Sequence, residues 1–218
     1  HQREPCGVTP AEQRFDSWAV VEPLRKVGPF RAGFTGHVGY PRRCRAADGR
    51  FILLEGVVYD RTSAEVDTAL GRIAEALANR SPVAAPVRDF VDSTDGDYVV
   101  VVYDERGREF VAFNDRWGRL PSYYFATATA AGFSRSVAFL LRSLPTVSLD
   151  RVAVAETLMI GHVLGEKTLV EGVFRLPPAG MLLGVLDAGR VRLELSRLVP
   201  TVFSSRTEMR EEEAVETC

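Results

Sequence analysis

The sequence predicts an α+β protein built on stacked antiparallel sheets. Three observations carry that prediction. Apolar runs of strand length are joined by short glycine-containing turns, helical periodicity is confined to a few segments between them, and there is no regular strand–helix–strand alternation that would signal a parallel sheet.

Taken in order, residues 1–50 mix short apolar pieces such as "WAVVEPL" with glycine and proline punctuation, which implies short strands and turns. "RFILLEGVVYD", Arg50 to Asp60, is aliphatic and β-branched, a buried strand with a bulge or close backbone approach at Gly56. The period then changes. Val66, Ala69, Leu70, Ile73 and Leu77 recur at helical spacing, and Thr62 with Glu65 forms a capping box, so a helix is predicted from Ser63 to Ala78. "DYVVVVYD" is too short for a typical helix and is covered on both faces as a strand. "ERGR" turns it into "EFVAFND", making a hairpin. "SYYFATATAAGFSR" supplies two further strands around Gly132, followed by helices in "SVAFLLRSL" and in "LDRVAVAETLM", the second halted near Gly161. "MLLGVLDAGRVRLELSRL" repeats the hairpin pattern with Ala188 and Gly189 in the turn, and the acidic tail from Ser204 is helix-prone.

Composition narrows the function classes. A formal net charge of -2, with Lys+Arg 27 against Asp+Glu 29, gives no electrostatic footprint for nucleic acid or an anionic membrane. No window approaches the roughly 18 consecutive apolar residues of a membrane span. Cys6, Cys44 and Cys218 have neither metal-ligand spacing nor the pattern of a disulfide framework, so no metal site and a reducing, cytoplasmic setting are expected. His37 and His162 lack a nearby partner for nucleophilic catalysis and read as structural.

"GDYVVVVYDERGREFVAFNDRWGRLPSYYF" resembles a segment of asparagine synthetases in which an Asp-Arg or Asp-Pro pair is followed by glycine, proline and two tyrosines. Asp115, Arg116, Gly118, Pro121, Tyr123 and Tyr124 fall on that pattern. A second stretch, "LMIGHVLGEKTLVEGVFRLPPAGMLL", keeps Gly161, Thr168, Gly172, Leu176, Pro177 and Pro178 in register with the same family. The resemblance covers roughly Leu53 to Leu183 and implies a class II glutamine amidotransferase domain of the N-terminal-nucleophile type, a four-layer αββα sandwich. It places that domain at residues 1–200 and makes residues 201–218 a linker and first helix of a synthetase domain, whose ATP-binding loop S-G-G-x-D-S does not occur in this chain. Within the opening motif, Asp115 and Arg116 read as an ion pair in a turn and Tyr123 and Tyr124 as strand packing residues.

The glutamine chemistry of such a domain can be checked by position. An N-terminal nucleophile needs a cysteine at the mature chain start, because its own α-amino group helps activate the thiol. "CGV" stands at Cys6, which is competent only if five residues are removed, and "TPAEQ" after it resembles a helix start rather than the family's first strand. The family's oxyanion motif N-G-E aligns with Glu55, Gly56 and Val57. Glycine is kept, the neutral amide donor becomes a carboxylate, and the glutamate that could hold the substrate amine becomes valine. Asp89 is the only carboxylate near the family's amine-binding aspartate and is out of register. The carboxylate clamp falls among Arg42, Arg43 and Arg45, with Arg43 the candidate and an exposed turn the rival reading.

These positions imply an amidotransferase-like domain of an asparagine synthetase homologue with a degenerate glutamine site, expected to lack glutaminase activity. Members of the family that have lost these residues include ring-closing enzymes of β-lactam or peptide biosynthesis. The full-length protein would be a ligase, as in asparagine biosynthesis, using ATP and Mg in its C-terminal synthetase domain, with no cofactor held by this chain. That synthetase domain is the expected partner, and the resemblance also admits glutamine and a second copy of the chain. Two alternatives stand: an active glutaminase domain with Cys6, Arg43, Glu55 and Gly56 at the site, and a stand-alone binding module.

Overall fold

The computed structural model describes residues 40–198 apart from 48 and 145, together with the backbone of short strands before residue 40. Those strands are β1 (Arg14–Phe15), β2 (Ala19–Val21), β3 (Arg25–Val27), β4 (Phe30–Ala32) and β5 (Thr35–Gly36), all paired antiparallel. Cys6, His37 and residues 201–218 lie outside the described residues.

The principal sheet is formed by β6 (Arg42–Ala47), β7 (Arg50–Val58), β8 (Gly96–Asp104), β9 (Glu109–Asn114), β13 (Gly180–Asp187) and β14 (Arg190–Arg197), in the order β14-β13-β9-β8-β7-β6 with every pair antiparallel. Successive side chains alternate between its faces. Leu54, Val100, Phe113 and Met181 are register partners across four strands. They pack with the apolar stripe of α1 (Ser63–Ala78) and with Val87, Phe90 and Val91 of α2 (Ala84–Ser93). The other face turns Val101, Ala112 and Leu182 toward Tyr124 and Phe133 of a second sheet.

That second sheet has the order β11-β10-β12, made of β10 (Tyr123–Ala126), β11 (Ala131–Ser134) and β12 (Val173–Arg175). Its far side packs Phe125 and Val173 on Leu140 of α3 (Val137–Leu141). Helix, sheet, sheet, helix is the predicted αββα layering. Outside these layers α4 (Arg151–Ile160) buries little beyond Ala153 and leaves Leu158 and Met159 exposed.

Local chemistry explains most boundaries. The α1 capping box forms as predicted, with Thr62 Oγ1 accepting from the Glu65 amide and the Thr62 amide donating to Glu65 Oε2 at 2.8 Å. Gly161 ends α4 in the left-handed region at φ 82°. The Ala188–Gly189 turn has both residues at positive φ, 46° and 78°, as a two-residue hairpin with right-handed strand twist requires.

Two expectations need correction, and one helix lies where the sequence reading makes no prediction. The Arg42–Arg45 stretch is an edge strand paired to β7 rather than a solvated turn. "VAAPVRDFVDS" contains helix α2, with Pro86 in its first turn where a missing N–H costs no hydrogen bond. Cys44 is disulfide-bonded, against the expectation of unpaired thiols, and its partner lies outside the described residues. Among the described residues no helix is long and apolar enough to cross a membrane, and no group of three or more His, Cys, Asp or Glu is arranged to hold a metal ion.

Candidate active site

The site residues sit where the two sheets meet. Glu55 lies in β7 on the face that carries Phe51 and Leu53, so its side chain is turned toward the second sheet. Arg135 comes from the turn between β11 and α3. Its Nη1 donates to Glu55 Oε1 at 2.5 Å, and the two side chains are only 13% and 10% exposed. The guanidinium carbon stands 5.2 Å from the centroid of the Tyr40 ring, a cation–π contact on its flat side. Arg135 Nε is buried without a hydrogen-bond partner among the described residues.

The turn that presents Arg135 is held locally. The Ser136 amide donates to Ser134 Oγ at 3.0 Å, and Ser136 Oγ caps α3 by accepting from the Phe139 amide. Arg135 is therefore positioned by its own loop as well as by Glu55.

Gly56 adopts φ +115°, and a Cβ there would collide with the Asp97 carbonyl oxygen, so the close backbone approach read from the sequence is present. Its N–H donates to the Pro41 carbonyl at 2.9 Å. An oxyanion needs a free N–H, and this one already has an acceptor. Arg42 is the register partner of Glu55, whereas Arg43 is exposed and pairs with Leu54, whose side chain faces the helices. The structure thus brings Glu55 and Gly56 together and sets Arg43 on the opposite face. Asp89 lies within α2, and His162 is exposed, its Nδ1 3.1 Å from the Ile160 carbonyl.

"FNDRWGRLPSYYFA" proves to be scaffold beside this site. Asn114 is buried and straps the 177–180 loop, donating to the Pro177 carbonyl at 3.0 Å and accepting from the Gly180 amide at 2.9 Å. Asp115 is also buried. It does not pair with Arg116, which instead lies 3.8 Å from Asp92. It accepts from the backbone amides of Trp117 and Arg119. Burial raises the Asp115 pKa above the ordinary carboxylate value, opposed by those amide hydrogen bonds. Arg119 donates to Asp97 at 2.9 Å and lies 3.4 Å from Asp95, and Tyr59 donates to the second oxygen of Asp97 at 2.8 Å. Hydrogen bonding to that carboxylate raises the Tyr59 pKa. Tyr124 meets Phe174 across the second sheet with ring centroids 5.7 Å apart, the packing role its sequence position suggests.

Sequence reasoning missed Arg135. It stands 80 residues from Glu55, and nothing local marks it. The available signal was the mismatch itself, since a glutamate inside an apolar strand needs a cationic partner somewhere in the fold.

This αββα sandwich of antiparallel sheets is consistent with an amidotransferase fold. The family model described as a glutamine amidotransferase domain matches residues 84–194, and a search of curated proteins finds no match. This chain belongs to the glutamine amidotransferase domain family. The matched region begins in α2 and ends in β14, so it includes Arg135 and leaves Glu55 and Gly56 outside it.

Proposed function

We propose that this chain is a non-hydrolysing amidotransferase-like domain of an enzyme of the asparagine synthetase type, in which it serves as folding and docking partner for an ATP- and Mg-dependent synthetase domain. One observation carries the reading. The Glu55 carboxylate is tied to Arg135 and the Gly56 N–H is spent on Pro41, at the position that the sequence resemblance aligns with an oxyanion motif carrying an amide donor. Loss of one oxyanion donor typically costs about 10² to 10³ in rate, and the carboxylate there, neutralised by Arg135, supplies no donor in its place. The synthetase-type assignment is supported by the sequence resemblance through Asp115–Tyr124 and Gly161–Pro178.

A glutaminase assay tests it on the chain beginning at His1 and on a version trimmed to begin at Cys6. The expected result is no glutamate release above background from either. Release by the trimmed chain, abolished by Cys6→Ala, would overturn the proposal in favour of an active glutaminase domain. With both silent, Glu55→Asn in the trimmed chain is expected not to restore hydrolysis, because the Gly56 N–H stays bonded to the Pro41 carbonyl.

A further inference from the structure

The Glu55–Arg135 contact leaves the arginine incompletely satisfied. A guanidinium carries five N–H donors, and its preferred carboxylate geometry is bidentate. Glu55 engages Nη1, while the buried Nε has no acceptor among the described residues. The receptor half does not depend on its resident anion for position, since the Ser134–Ser136 hydrogen bonds fix the loop and the Tyr40 ring backs the guanidinium plane. With Glu55 gone, a free carboxylate in its place could engage a second guanidinium N–H beside Nη1, a pairing that the observed Glu55 contact does not make.

We propose that Arg135 is a carboxylate receptor occupied in cis by Glu55, a built-in anion that closes the site to small carboxylate-bearing molecules. The proposal rests on the reading of this position as a closed amidotransferase site. An internal carboxylate acts at high effective concentration, so a free one competes poorly until Glu55 is removed. Removing it leaves a guanidinium without its counter-ion, for which a small aliphatic carboxylate is the best-matched occupant.

The test compares the full chain as wild type, Glu55→Ala and Glu55→Ala/Arg135→Met, melted in sodium acetate and in sodium chloride at equal ionic strength. Glu55→Ala is expected to gain about 3 °C in acetate over chloride at ten times its dissociation constant. Wild type and the double variant are expected to show no such gain. An equal response in all three, or none in Glu55→Ala, overturns the proposal. Should Glu55→Ala fail to fold in chloride, recovery on refolding into acetate alone supports it and recovery in neither overturns it. As an independent reading, calorimetric titration of Glu55→Gln with acetate should show binding at least about tenfold tighter than wild type, about the factor that releasing an internal competitor provides. Equal affinity would count against the receptor. These outcomes do not depend on glutamine hydrolysis, so the receptor can fail while the assay of the trimmed chain stays silent, and the reverse.

Discussion

Replacing Arg135 by methionine should be among the most damaging single changes to stability in the described region. The substitution keeps an unbranched side chain of similar reach against Tyr40 but leaves the Glu55 carboxylate in a place that is only 10% exposed. Breaking a buried pair by removing one partner costs about 3–5 kcal/mol, most of it the desolvation of the ion left behind. The lower part of that range applies, because the wild-type guanidinium already carries an Nε without a partner among the described residues. For a chain of this size, about 3 kcal/mol corresponds to a melting shift of roughly 6–12 °C. Replacing both partners, as Glu55→Leu with Arg135→Met, should return stability to within about 1 kcal/mol of wild type or above it, since neither ion then has to be desolvated. Urea denaturation followed by circular dichroism, extrapolated linearly to water, reads all of these values. A loss below about 1 kcal/mol for Arg135→Met would place the pair in the range of surface ion pairs and refute the reasoning.

Val100 is fully buried between β7 and β9 under α1 and α2, so Val100→Ala should cost about 1–3 kcal/mol in the same experiment, and Val101→Ala, on the less buried face, measurably less. Ala188 is exposed at φ 46° in the β13–β14 turn. Ala188→Asn should stabilise by about 0.5–1 kcal/mol, because asparagine tolerates the left-handed region better than alanine, and a melting point at or below wild type would contradict that. The raised Asp115 pKa means the folded state holds its proton more tightly than the unfolded chain. The stability it contributes is complete below the unfolded value and is lost as pH rises through the folded one. The stability difference between wild type and Asp115→Asn should therefore move in favour of wild type as pH falls from 7 toward 4, and a change in the opposite direction would show that the amide hydrogen bonds outweigh burial.

Much of this fold is local and was legible for that reason. The capping box of α1, the "ERGR" hairpin, the Ala188–Gly189 turn and the Gly161 stop each arise within a few residues of sequence, and each appears where its chemistry puts it. What escaped depends on partners far along the chain. β6 is charged because it lies at the edge of the described sheet, and its strand character comes from pairing with β7 rather than from its own side chains. α2 carries a proline that reads as a breaker until its position in the first turn is known. Glu55 was legible as a departure from the oxyanion motif, but its effect was not, because repulsion toward an oxyanion presumes an unneutralised carboxylate and Arg135 supplies the opposite charge.

That neutralisation bears on how such a site can change. A carboxylate introduced alone at position 55 would be buried against Leu53 and Phe51 without a counter-ion, at a cost of several kcal/mol, comparable with the whole stability of many domains. An arginine alone at position 135 would face the same penalty in the opposite sign. The two substitutions are thus tolerable together and costly apart, and they bridge the two sheets of the sandwich at the site. The Glu55–Arg135 pair is therefore a single closed electrostatic contact, and Gly56 has no room for a side chain because the Asp97 carbonyl of the neighbouring strand β8 fills that space.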